Sequence, residues 1–174
     1  MFKNWRLSSV NGALLAAYFI PVWSAIAFRI MLSPVHGLFE RPNISIALFV
    51  SDTLQFSGLG TVRAAWLLAL ARLMVAAFFA IFLLLISLPR VRKAGGCDEA
   101  LAIALGLGSL ISFVSMVMAS RVHEIEALRL HATELMMLLG TAIVLLVEEP
   151  AQVRNVSPAP AETLAAEQQA LAAQ

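Results

Sequence analysis

Residues 64–88 read AAWLLALARLMVAAFFAIFLLLISL, an apolar run with a single charge, at Arg72. A helix needs about 20 predominantly apolar residues to cross the hydrocarbon core of a bilayer. Three further stretches approach or exceed this length, and they lie at Asn11–Leu32, Glu99–Ser120 and Leu128–Val147. The pattern predicts an all-α, polytopic integral membrane protein with four transmembrane helices in a bundle.

The composition of the whole chain agrees with this class. Hydrophobic residues make up 60% of the 174 residues and charged residues only 13%, and the mean hydropathy is +0.86. Soluble domains are typically about half apolar and a quarter charged. A net charge of +1 supplies no basic face of the kind that nucleic-acid-binding proteins carry, so no nucleic-acid partner is expected. The expected partners are the lipid bilayer and other membrane protein subunits, or a second copy of this chain.

The orientation is predicted from the basic residues, which accumulate in cytoplasmic loops. Five of them precede the first span or follow the second: Lys3, Arg6, Arg90, Arg92 and Lys93. Both termini are therefore expected in the cytoplasm, with an outer connection at 33–63. The first apolar run is too long for the h-region of a signal peptide, so it is interpreted as a retained helix. The short loops suit a bacterial inner membrane.

Two segments lie outside the four predicted spans. The outer connection contains an apolar piece, Ile44–Val50, which is too short to cross a membrane and is expected to be re-entrant or interfacial. Just before it, Asn43-Ile44-Ser45 matches the glycosylation triplet, a match that is common by chance. The composition changes near the end of the chain, which predicts a transmembrane domain at 1–148 and a Pro/Ala-rich cytoplasmic tail at 149–174.

Small side chains recur at helical spacing, and membrane helices approach one another closely through such residues. In the third span they are Ala104, Gly108, Ser112, Ser115 and Ala119, and in the second span they are Ala69, Ala76 and Ala80. Larger side chains of the second span are expected to face lipid on the opposite side: Leu67, Phe78, Phe82 and Leu85. These stripes predict either a compact bundle or an interface with another subunit.

Four polar residues fall at a similar depth when the spans are aligned at 1.5 Å per residue. They are Arg29, Arg72, His131 and Glu134. Charged side chains at the centre of a bilayer usually pair or line a cavity. We therefore expect an ion pair between Arg72 and Glu134, with His131 and Arg29 nearby. The alternative is that the two arginines extend their stems to the membrane surface.

His-x-x-Glu occurs twice, as His123 with Glu126 and as His131 with Glu134. Residues three apart share a helix face, where histidine and carboxylate can hold a metal ion. No proline or glycine interrupts Arg121–Glu134, so one continuous helix is an option there. The competing interpretation is a solvated loop with helix-terminal charges. A haem between His36 and His131 is a further option, but no cofactor is predicted.

No nucleophile–base set, phosphate-binding loop or dinucleotide motif is present in the sequence. The expected function is therefore that of a non-catalytic accessory, assembly or structural subunit of a larger membrane complex, acting through helix–helix contacts. One alternative is a small oligomeric transporter or channel with a polar site at Arg72 and Glu134. A second alternative is a haem- or metal-binding membrane redox protein.

Overall fold

The computed structural model describes the backbone of residues 7–88 and 97–155 and the side chains of residues 7–88 and 97–148. In these ranges the chain is helical and contains no strand. The helices are α1 (Leu7–Leu32), α2 (Pro34–Leu38), α3 (Ile44–Leu48), α4 (Gly58–Ser87), α5 (Asp98–Arg121) and α6 (Ile125–Asn155). A π-helical segment, Phe49–Thr53, follows α3 directly.

Four of these helices are long and apolar enough to cross a membrane, as the sequence predicts. They are α1, α4, α5 and the Ile125–Glu148 part of α6, with 26, 30, 24 and 24 residues. Helices suit a bilayer because each backbone N–H and C=O group finds its partner within the same segment. The basic residues used to predict the orientation lie outside the described residues, and so does most of the predicted tail.

The four long helices pack in chain order around a common centre. α1 packs against α4, α4 against α5, and α5 against α6, while the contact that closes the ring, between α6 and α1, is the least extensive of the four. At one end of that last contact, the Glu148 carboxylate accepts hydrogen bonds from the backbone N–H groups of Leu7 and Ser8, at 2.9 and 3.1 Å. The carboxylate thus satisfies free N–H groups in the first turn of α1.

Two apolar clusters form the interior of the bundle. The cluster nearer the start of α1 includes the stacked rings of Phe19 and Phe79, whose centroids are 5.6 Å apart. The other cluster joins Ala27 and Ile30 of α1 to Ala65 and Ala69 of α4 and to the segment between them. Arg72 lies on α4 between the two clusters, at the middle of the helix. The apolar interior is therefore interrupted by a polar layer.

The connection between α1 and α4 folds back into the open end of the bundle. Its apolar side chains Leu38, Ile46, Ala47 and Val50 are buried. At Gly37 the connection touches α1 so closely that a Cβ atom would lie 2.7 Å from the Cα of Ile30. The predicted apolar piece Ile44–Val50 is thus packed against the helices as part of the protein interior.

Several details differ from the sequence-based predictions. α1 begins at Leu7 instead of Asn11, and α4 begins at Gly58, six residues before the predicted start at Ala64. Phe82 is 0% exposed instead of facing lipid, since Gly12 of α1 leaves room for its ring. The helix that was an option across Arg121–Glu134 is interrupted, because His123 adopts a left-handed conformation with φ 59° and ends α5.

Candidate functional site

Polar side chains from all four long helices meet at the centre of the bundle. We call this group the central polar cluster. Its members are Trp23 of α1, Asn43 of the connection, Arg72 of α4, Ser112 of α5, and His131 and Glu134 of α6. Each of them is at most 4% exposed. Burial of this kind is costly for charged groups unless they find partners inside the protein.

Glu134 is the acceptor at the centre of the cluster. Its Oε1 accepts a hydrogen bond from Trp23 Nε1 at 3.2 Å. Its Oε2 accepts a bond from Ser112 Oγ at 3.4 Å and lies 3.1 Å from His131 Nδ1. These contacts tie α6 to α1 and to α5.

Arg72 is held by a different set of contacts. Its Nη1 donates to Asn43 Oδ1 at 2.5 Å, and its Cζ lies 5.7 Å from the centroid of the Trp23 ring, within the range of a cation–π interaction. The amide of Asn43 in turn donates to the backbone oxygen of Gly37 at 2.8 Å. Arg72 therefore joins α4 to both α1 and the connection.

The predicted direct ion pair between Arg72 and Glu134 is wrong. The two side chains interact electrostatically but are not in contact, and the Trp23 indole touches both of them. Arg72 donates its hydrogen bond to Asn43 of the connection, and the Trp23 indole donates to Glu134.

Two nitrogen atoms of the cluster are buried without a hydrogen-bond partner, and they are Arg72 Nε and His131 Nε2. A buried polar atom without a partner costs about 1–3 kcal/mol, so such atoms are uncommon in native proteins. In the cluster, both carboxylate oxygens of Glu134 therefore have hydrogen-bonding neighbours, whereas one nitrogen atom of Arg72 and one of His131 have none.

Arg29 does not join the central polar cluster. Its side chain is 66% exposed and its Nη1 lies 3.2 Å from Glu40 Oε2. It sits in the last turn of α1, where a long side chain can extend beyond the helix end. The expectation that Arg29 lies near the other three polar residues is wrong.

The residues considered as metal or haem ligands are separated in the structure. His123, Glu126 and His36 are exposed, whereas His131 and Glu134 are buried. Among side chains 7–88 and 97–148, no three His, Cys, Asp or Glu residues are grouped so as to hold a metal ion. His131 and Glu134 are the two members of this set that touch, at 3.1 Å.

The small residues of the predicted packing stripes face the interior with one partial exception. Ala104, Gly108, Ser112, Ser115, Ala119, Ala69 and Ala76 are buried, and Ala80 is half-buried. A Cβ atom at Gly108 would lie 3.3 Å from Leu138 of α6, so glycine allows α5 and α6 to approach closely here. The stripe on α5 thus serves the contact within the bundle.

Sequence reasoning missed two members of the cluster, Trp23 and Asn43. Tryptophan is usually enriched at the membrane surface, but Trp23 lies well inside its predicted span. A buried indole N–H usually finds an acceptor, so the position of Trp23 was a signal that it has a polar partner inside the bundle. Asn43 carried only the glycosylation triplet as a signal. Its side chain is 0% exposed and bonded to Arg72, which leaves no access for an oligosaccharide.

Comparisons of the chain with protein-family models, with curated proteins and with solved structures found no match.

Proposed function

We propose that the chain is a non-catalytic accessory, assembly or structural subunit of a larger membrane protein complex, which it contacts through its helices in the bilayer. The observation that carries this proposal is an open groove between α1 and α6, where the ring of helices is least tightly closed. The groove has a volume of about 320 Å³. It is lined by Asn11, Leu14, Leu15, Met136, Met137, Gly140 and Thr141.

The groove presents features that suit a helix better than lipid tails. Met136 is 76% exposed, and a Cβ atom added at Gly140 would meet nothing within 4 Å. The backbone of α6 can therefore be approached closely, as in other membrane helix pairs that meet at small residues. Across the groove, the Asn11 side chain forms no hydrogen bond with any described residue.

The occupant that fits these features is one transmembrane helix of another subunit, with a small-residue face toward Gly140 and a hydrogen-bonding side chain toward Asn11. Side-chain hydrogen bonds between membrane helices contribute about 1 kcal/mol each, whereas a lipid tail offers no partner to an amide. The bundle would then act as a rigid support, since its internal polar groups hold its own helices together.

The test is purification of the tagged full-length chain in a mild detergent, followed by mass analysis. We expect a stoichiometric second protein that is lost in Gly140→Leu. The matched control is Gly106→Leu, because Gly106 is an equally open glycine on α5, away from the groove. Loss of the partner in both variants, or in neither, contradicts docking at the groove, and a monomer without a partner contradicts the proposal itself.

A second candidate function is a small oligomeric transporter or channel, and the central polar cluster favours it. Ionisable residues inside membrane helices often mark ion or substrate pathways. Under this alternative, the purified chain forms an oligomer of itself with no foreign subunit. Bound metal or visible absorbance in the same preparation would instead support the redox alternative.

We also propose a bacterial inner-membrane location with both termini in the cytoplasm. The four helices that are long and apolar enough to cross a membrane support this, because an even number of crossings returns the chain to the side on which it began. The support for the cytoplasmic side is the excess of Lys and Arg before α1 and between α4 and α5.

A further inference from the structure

We propose that the start of α4 carries a binding site for an anionic phospholipid, with the lipid phosphate at Arg63 and one acyl chain along the apolar wall of the same groove. This groove, which we call the α4 groove, has a volume of about 300 Å³. It shares no residue with the groove between α1 and α6, so the proposal goes beyond the proposed function and does not depend on it. It is lined by Phe56, Ser57, Gly60, Arg63, Ala64 and Leu67.

The outer wall of the α4 groove is held in place by contacts within the chain. Gln55 adopts the left-handed conformation, with φ 50°, just before α4. The next residue, Phe56, donates its backbone N–H to the oxygen of Val50 at 3.3 Å. Its side chain lies against α4, because a Cβ atom at Gly60 would be 3.1 Å from the Phe56 Cβ and 3.3 Å from its Cγ. The glycine thus leaves the space in which the Phe56 side chain packs.

The other lining residues follow one face of α4 toward the bilayer centre. Ser57, Gly60, Ala64 and Leu67 are three, four and three positions apart, a spacing that places side chains on the same side of a helix. Ser57 and Arg63 supply polar atoms, and Ala64 and Leu67 supply the apolar wall beyond them. A groove that is polar toward one end and apolar toward the other matches an amphipathic ligand.

Arg63 lies at the depth of lipid phosphates. α4 has 30 residues and is therefore about 45 Å long, which equals the hydrocarbon core together with both headgroup layers. With the helix centred in the bilayer, Arg63 lies about 8 Å from the helix start at Gly58, close to the boundary between headgroups and hydrocarbon. Leu67 lies one turn deeper, among the acyl chains.

The charge of the α4 groove selects an anionic headgroup. Arg63 is exposed and forms no hydrogen bond or ion pair with any described residue, and the Ser57 side chain makes no cap hydrogen bond to the helix. No Asp or Glu is among the described residues that line the groove. A guanidinium can bind a phosphate through two parallel N–H bonds, whereas the ammonium of a zwitterionic lipid would find no counter-charge here.

The proposal is tested by native mass spectrometry of the full-length chain, purified in a neutral detergent and freed of bound lipid. Phosphatidylglycerol and phosphatidylcholine with identical acyl chains are added separately. We expect the wild type to bind phosphatidylglycerol about fivefold more tightly, the factor that corresponds to one arginine at an anionic lipid surface. Equal binding of the two lipids by the wild type would overturn the proposal even if no variant folds.

A matched pair of variants locates the site. Arg63→Gln is expected to lose the fivefold preference. Arg121→Gln is expected to keep it, because Arg121 is also exposed but lies in the last turn of α5 and does not line the α4 groove. Equal losses in both variants would show a general attraction of anionic lipid to basic residues and would contradict the site.

The same preparations separate the lipid from two other occupants. Inorganic phosphate at the concentration of the lipid is expected to leave phosphatidylglycerol bound, since it cannot fill the apolar wall. Displacement by phosphate would instead identify a free anion as the ligand. A co-purifying protein that is lost only in Arg63→Gln would identify a helix of another subunit. Either of these two results would overturn the proposal.

Discussion

Arg72 is the residue on which the polar layer of the bundle depends. It is 2% exposed, and its contacts reach the connection through Asn43 and α1 through Trp23. Its positive charge also balances Glu134 across the Trp23 ring. A single side chain therefore serves as counter-charge, hydrogen-bond donor and cation–π partner.

Arg72→Leu is expected to destabilise the protein by about 3–5 kcal/mol, because it leaves Glu134 as an uncompensated buried charge. The measurement is the thermal unfolding midpoint of the purified protein in one detergent. Arg29→Leu is the matched control, since Arg29 is 66% exposed and is expected to matter much less. Arg72→Leu/Glu134→Leu should recover part of the lost stability. Equal midpoints for both single variants would show that the polar layer is not needed for folding.

The sequence predicts part of this residue-level arrangement. Arg72, His131 and Glu134 share a depth and face inward, which helical spacing and depth alignment indicate. The contacts themselves were not predictable in this way. The partner of Arg72 is Asn43, which lies 29 residues earlier in a segment without helical periodicity. Long-range contacts of this kind depend on how a connection folds, and no local pattern encodes that.

At the scale of elements, the connection between α1 and α4 is the least regular part and yet is firmly packed. Asn43 bonds to Arg72 on one side and to the Gly37 carbonyl on the other. α2 rests directly on the α1 backbone at Gly37. The position of the connection therefore depends on one amide and one close backbone contact.

Gly37→Ala is expected to destabilise the protein by about 1–3 kcal/mol, the usual cost of inserting an atom into a filled space. The new Cβ would lie 2.7 and 2.8 Å from the Cα and N of Ile30, and a helix backbone cannot move aside as a side chain can. Gly58→Ala is the control, because nothing lies within 4 Å of its Cβ. Hydrogen exchange of the connection should increase only in Gly37→Ala. Unchanged exchange in that variant would argue against close packing of the connection.

The four long helices were predictable because an apolar run of sufficient length has few alternatives in a bilayer. The residues at which these helices begin and end were less predictable. The break between α5 and α6 has no proline or glycine, and His123 supplies the left-handed residue instead. Histidine adopts this conformation more readily than most residues, but its presence alone does not predict a helix end.

At the scale of the whole molecule, the interior and the surface have separate roles. The central polar cluster is bonded within the chain and holds the four helices and the connection together. The groove between α1 and α6 faces outward and has an amide without a partner in the described residues. Substitutions in the cluster should therefore affect stability, whereas substitutions in the groove should affect assembly.

The orientation of the whole molecule is predicted from charge and can be measured by labelling of cysteines. The native Cys97 is buried and is first replaced with Ser, after which Asp52→Cys marks the connection and Ser157→Cys marks the tail. In intact bacterial cells, a membrane-impermeant thiol reagent should label Asp52→Cys, because this position is exposed and is predicted to lie outside. Ser157→Cys should react only after the membrane is permeabilised. Labelling of Ser157→Cys alone in intact cells would place both termini outside, and labelling of both positions would contradict an even number of crossings.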